Sequence, residues 1–284
     1  MGRINIFEKL AGAYNAGKAL KNIAILFHSK LFIGSYDCYV NATIEEIVDK
    51  YNTFGNWKSR GAGLHDCRNM RNDLGLVEDP KETDNIDRIL EYLEYYINIC
   101  ALAKRANCNS EYQRSEKFGM LMVDIRKLID YLNHKERHIE SEDKILVIPK
   151  NPAGTAAAEI SSPQTGVAIL KYHHHLLKGD VIEKRKLLHT IAIEYEQVLK
   201  SKSCEPKAIF VNTNALLNKL YIRHGNEDNQ KNIAQFSSDE LENWYDELYQ
   251  MLLLCVLLND NSARMKKIDD LKIAMCDESQ RRNV

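Results

Sequence analysis

Between Asp84 and Arg105 the apolar residues Ile86, Ile89, Leu90, Leu93, Tyr96, Ile97, Cys100 and Ala101 return every three or four positions. That interval matches the 3.6-residue turn of an α-helix, so all eight fall on one stripe that folding must cover. A second stripe, Phe118, Leu121, Met122, Ile125, Leu128, Ile129 and Leu132, runs through Ser115 to Asn133. Two stripes joined by a short polar stretch predict an antiparallel helical hairpin. Thr83 or Asp84 can start the first helix, because a short oxygen-bearing side chain satisfies the orphan amides of a first turn.

The same rhythm organises most of the chain. It predicts a helix from Ala156 to Lys178, interrupted near Pro163, and another from Val181 to Leu199 capped by Asp180. Pro206 opens a further helix ending around Ile222. After a polar stretch, Ser237 starts a long one reaching about Leu258, and Ser262 to Met275 reads as a separate, short charged helix. Near the N-terminus Ile23 to Ile33 reads as helical, Thr43 to Tyr51 as a short capped helix, and Phe54 to Gly63 as a packed loop. Lys144 to Lys150 breaks the rhythm with Ile-Leu-Val-Ile before a proline and reads as one extended segment without an evident partner. Five prolines and thirteen glycines in 284 residues are too few for the frequent turns of a many-stranded β fold. The expected class is all-α: multi-helix bundles with at most one short extended segment near 144–150. The expected divisions are 1–80, a helical hairpin at 81–142, and a C-terminal bundle at 150–284.

Charge excludes one class of explanation. The net charge of −1 creates no global field to attract nucleic acid, so any basic surface must be local. From Gln164 to Arg223 ten basic residues face five acidic ones, whereas from Ser237 to Val284 six face ten. A basic middle and an acidic end fit an RNA surface, a partner surface, or two solvated faces that attract each other. Seven widely spaced cysteines without a C-x-x-C pair point to free thiols and a cytoplasmic setting. The longest apolar run, Met251 to Leu258, is far shorter than the ~20 residues a membrane helix needs. No membrane association is expected.

Several constellations invite chemistry. His134 and His138 lie four apart, one helical turn, as paired metal ligands often do. The surrounding residues do not form H-E-x-x-H, and their basic character equally suits a helix C-terminus. His173, His174 and His175 diverge by about 100° each on a helix and cannot share an ion there. No metal or other cofactor is expected. Phosphate loops, dinucleotide fingerprints, nucleophile elbows and kinase signatures are absent from the sequence. Lys184, Arg185, Lys186 and His189 form the densest basic spot and suit phosphate contacts, or simply the wet face of a helix.

The stretch Asn218-Lys-Leu-Tyr-Ile-Arg223-His224-Gly225-Asn226 gathers cationic and amide side chains at a helix end. A guanidinium holds phosphate and an imidazole shuttles protons, so Arg223 and His224 together suit metal-independent RNA cleavage, with Asn218 and Asn226 beside them. The alternative is a helix cap, with Gly225 closing the turn and Arg223 and His224 bonding the last carbonyls.

In helix order from about Ala156 to Leu258, and in this Arg-His element before the last long helix, the chain resembles the HEPN group of bacterial defence and toxin proteins, including AbiJ-like abortive-infection proteins. The resemblance implies a helical bundle, a setting in phage defence or toxin–antitoxin systems, a homodimer, and metal-independent RNase activity carried by an Arg and a His. The match is incomplete: the group's second His is missing after Arg223, where Asp228, Asn229 and Gln230 stand. Arg60-Gly-Ala-Gly-Leu-His65 has the spacing but lies in a glycine-rich loop. The contrasting expectation is a non-catalytic helical adaptor or sensor that binds a partner protein.

Overall fold

A computed structural model describes residues 15–35, 40–108, 111–201, 206–223 and 233–281. The chain divides into two units, Met1–Lys150 and Asn151–Val284. The described residues are mostly helical but not all-α: eleven α-helices accompany two small two-stranded antiparallel sheets.

In the first unit α1 (Ala16–Phe27) leads to β1 (Phe32–Gly34), so the predicted helix through Ile33 stops six residues short. Then come α2 (Ile44–Lys50), α3 (Cys67–Asp73), α4 (Ile86–Arg105), β2 (Tyr112–Arg114), α5 (Glu116–Tyr131), β3 (His134–Ile139) and β4 (Lys144–Pro149). Thr43 starts α2 with a reciprocal capping box to Glu46. Asn85, one residue beyond the expected caps, starts α4 by accepting from the Arg88 amide at 3.2 Å. The stripes of α4 and α5 are buried as their periodicity predicts from Ile89 and Phe118 onward, while Ile86, in the first turn of α4, is 51% exposed. They share one core with Leu20, Phe27, Ile47, Phe54, Trp57 and Val147, so the N-terminal segments and the helical hairpin pack together.

The strand at 144–149 is present, and its partner lies where a helix end was expected. Asn133 takes a left-handed conformation (φ 59°) that stops α5 and turns the chain into β3. His134 through Ile139 then pair antiparallel with Pro149 through Lys144. The helix-favouring residues of β3 are overridden by pairing with Ile145–Ile148. The far edge of β4 is closed by two buried polar side chains of α4. Asn98 accepts from the Ile145 amide at 2.9 Å and donates to its carbonyl at 2.7 Å. Glu94 accepts from the Val147 amide at 2.9 Å. Two residues one turn apart thus stand in for a neighbouring strand.

The second unit comprises α6 (Pro152–Ile160), α7 (Pro163–Lys171), a 3₁₀ turn (His175–Leu177), α8 (Val181–Glu194), α9 (Glu196–Ser201), α10 (Lys207–Lys219) and α11 (Ser238–Arg281). The break near Pro163 is real, and Asp180 caps α8 as expected. Helices α6 and α7 cross closely at Gly166, where a Cβ would lie 2.8 Å from the Ala158 carbonyl oxygen. Tyr172 stacks on Tyr249 with centroids 4.2 Å apart, and Leu188, Ile191, Phe210, Leu217, Leu248 and Leu252 complete the core. The two helices predicted after Ser237 are one continuous helix, because nothing between Leu258 and Ser262 breaks it. No described helix is long and apolar enough to cross a membrane.

Candidate functional site

The site grows out of the end of α10. Leu220 caps the helix, and Tyr221 adopts the left-handed region (φ 59°), usually left to glycine at such ends. The Ile222 amide then reaches back to the Leu217 carbonyl at 3.0 Å. A large β-carbon-bearing residue in that conformation carries local strain of about 1 kcal/mol or more. Two contacts hold it. The Arg185 guanidinium lies over the Tyr221 ring, 4.1 Å from its centroid. The Ile222 carbonyl accepts from His189 Nδ1 at 2.8 Å.

The turn delivers Arg223 to a cavity of about 590 Å³ between α8 and the start of α11. Val181, Ile182, Ile222, Ile233, Leu241 and Tyr245 form its apolar walls; Arg185, Lys186, His189, Thr190 and Arg223 supply polar groups. That volume lies in the range of small-molecule sites, ~300–1,000 Å³. Arg223 donates through Nη1 to Asn214 Oδ1 on α10. Its Nε and Nη2 are buried and have no hydrogen-bond partner among the described residues. Burial lowers the Arg223 pKa from its usual value, and Glu196 acts against that shift from a distance. Among the described residues this cation has one neutral acceptor and no carboxylate in contact.

The His189 bond fixes a tautomer. A carbonyl can only accept, so Nδ1 carries the hydrogen and the neutral ring keeps its lone pair on Nε2. An imidazole in that state accepts a proton at Nε2 or a hydrogen bond from a ligand. Arg185 and Arg223 offer fork-shaped donors to an anion, and Lys186 adds an exposed ammonium paired with Glu183. The cavity therefore combines cationic donors, one oriented imidazole and apolar walls wide enough for a ring.

Compared with known protein families, with curated proteins and with solved structures, the chain matches none. Its chemistry therefore rests on its own residues.

The cavity gathers Arg185, Lys186, His189 and Arg223, four of the residues singled out in the sequence. Lys184 departs from that set. One position along α8, its ammonium turns into the bundle and meets Glu242 at 2.7 Å and Asp246 at 2.8 Å. Those two carboxylates commit the Lys184 charge to holding α8 against α11. Asn218 sits in the last turn of α10, outside the cavity lining; its buried Oδ1 has no hydrogen-bond partner among the described residues. His224 and Asn226 lie outside the described residues. The cap alternative is corrected in part: α10 is closed by Tyr221, ahead of Gly225, and Arg223 bonds a side chain rather than the last carbonyls.

Sequence reading missed Tyr245 and Thr190, since nothing local marks an aromatic or hydroxyl residue as lining a cavity. It also misplaced two histidine groups. On strand β3 His134 and His138 stand four residues apart, roughly 13 Å at strand rise, too far to share an ion. His138 Nε2 instead lies 3.7 Å from Asp143. His173 sits outside any helix, edge-on to Tyr249 at 4.8 Å. In the first unit, Arg60 braces its loop through the Gly55 and Leu64 carbonyls at 3.0 and 2.7 Å, a structural use of the second Arg-His match.

Proposed function

We propose that the second unit binds the phosphate of RNA in the α8–α10–α11 cavity and cleaves the strand there without metal. The observation that carries the reading is the Arg223 guanidinium, two of whose nitrogens are buried and unpartnered among the described residues, on a residue that lines a cavity with Arg185 and His189. Neutral ligands would leave that charge uncompensated, whereas a phosphodiester supplies both charge and acceptors. The apolar walls suit the sugar or base of a single nucleotide, and RNA is commonly read by such unstacked nucleotides.

In this reading His189 takes the role assigned by sequence to His224. Its Nε2 removes the proton from the ribose 2′-hydroxyl, and the 2′-oxygen forms a bond to phosphorus. The bond from phosphorus to the 5′-oxygen breaks, and that oxygen takes a proton from water. The products are a 2′,3′-cyclic phosphate and a 5′-hydroxyl. Arg223 and Arg185 stabilise charge on the non-bridging oxygens. This keeps the Arg-plus-His chemistry that the HEPN resemblance implies, in a protein of defence or toxin type, but draws the imidazole from a different helix.

The test uses the full chain with short single-stranded RNA in EDTA, following binding by fluorescence anisotropy and products by gel. Arg223→Met should weaken binding at least tenfold. His189→Gln should leave binding within about threefold and slow cleavage by 10²-fold or more. Binding unchanged by Arg223→Met would sink the phosphate site. Binding retained without any cleavage would leave an RNA-binding protein and remove the RNase.

A further inference from the structure

Helix α11 runs on past its bundle. Residues 261–275 are all exposed, and among them Met265, Ile268 and Leu271 are large apolar side chains in the open. A helical segment of this length, without a packed face, is marginal in water. Its sequence carries a seven-residue repeat: Leu254, Leu258, Asn261, Met265, Ile268 and Lys272 are spaced alternately by four and three. That is the spacing of a coiled-coil seam, in which alternate positions face one partner helix. Leu254 already stands 42% exposed where the seam leaves the bundle.

We propose that this segment of α11 pairs, parallel and in register, with the same segment of a second copy of the chain. Charge selects both occupant and orientation. With Met265 and Ile268 in the seam, Arg264 and Asp269 flank it on opposite sides, five residues apart. In a parallel pair the two flanks of neighbouring helices meet, so Arg264 of each copy faces the other copy's Asp269 and two ion pairs form. In an antiparallel two-fold pair each flank meets itself, which sets Arg264 near Arg264 and Asp269 near Asp269. Among the described residues Arg264 bonds Asp260 and Asp269 bonds Lys272 at 3.0 Å, local pairs that cost little to exchange. Asn261 in the seam weakens the pair but fixes its register, since its amide is least costly opposite its own copy, and Lys272 adds a like-charge cost at the far end. The contact is isologous and closes at two chains.

The experiment is sedimentation velocity on the full chain over a hundredfold concentration range. The expected result is a reversible shift from 32.7 kDa toward twice that mass. Ile268→Asp should weaken dimerisation at least tenfold, with the thermal unfolding of the bundles retained. Arg264→Glu and Asp269→Arg should each weaken it, and the two together should restore it. A monomer at every concentration would overturn the proposal, as would a dimer indifferent to Ile268→Asp. Failure of the double reversal to restore what the single ones lose would overturn the parallel register. None of these readouts depends on RNA binding, so the cavity and the seam stand or fall separately.

Discussion

Arg71 in the first unit is buried and Arg223 in the second is half-buried, and the surroundings of the two arginines are opposite. Arg71, 4% exposed, meets Glu45 at 3.1 Å, Glu78 at 2.6 Å and the His28 Nδ1 at 3.3 Å. Burial alone would lower its pKa; the two carboxylates reverse that and leave it raised. Arg223 has one neutral amide, and burial wins. A buried cation with its carboxylates in place is a fastener between elements, here α2, α3 and the segment after α3. A half-buried cation without them among the described residues is a cost to the fold that a bound anion can offset. The difference lies in the partners, since the residue type is the same.

The largest expected effect is on the fastener. Arg71→Ala should lower stability by about 3–5 kcal/mol, because it strands Glu45 in the interior without its cation. Chemical denaturation with two probes checks it, and a loss below 1 kcal/mol would erase the contrast with Arg223. Next comes acid. Burial, and then the Arg71 charge, lower the His28 pKa from 6.5 to about 4. The unfolded chain therefore binds a proton in that window that the folded chain refuses, so stability is full above pH 6.5 and falls as pH drops toward 4. Glu45, raised by burial first, works in the opposite sense near the acid end. His28→Gln should flatten the fall between pH 6.5 and 4 in thermal melts; an unchanged slope would remove His28 from the account.

The smaller effects sharpen the other side. Tyr221→Gly should relieve the left-handed strain, for a net change within about 1 kcal/mol of the parent, while the loss of the Arg185 platform weakens RNA binding several-fold. Binding as tight as the parent's would show that the ring positions nothing. Arg223→Met should change stability least, within about 0.5 kcal/mol or toward a gain. A loss of several kcal/mol in that variant would make Arg223 a second Arg71, and the cavity would lose its reason.

The helical character of the chain was legible because burying a stripe requires a period, and a period is local. The α4 and α5 stripes, the Asp180 cap and the break at Pro163 all stand where the residues put them. The edges were less legible. Nothing near His134 announces a strand, since its residues favour helix and its partner lies across a turn. Lys184 and Arg185 look alike in sequence, yet about 100° of helix rotation sends one into the bundle and the other over Tyr221.

Periodicity, capping residues and the scarcity of turn formers thus determined most of the helices from sequence alone, since each depends on neighbours a few residues away. Tertiary structure alone decided which basic residues share a cavity, which imidazole is oriented beside Arg223, and how Glu94 and Asn98 close a strand edge. Those outcomes join positions tens of residues apart. They depend on which faces the packing turns inward, and no local pattern encodes that.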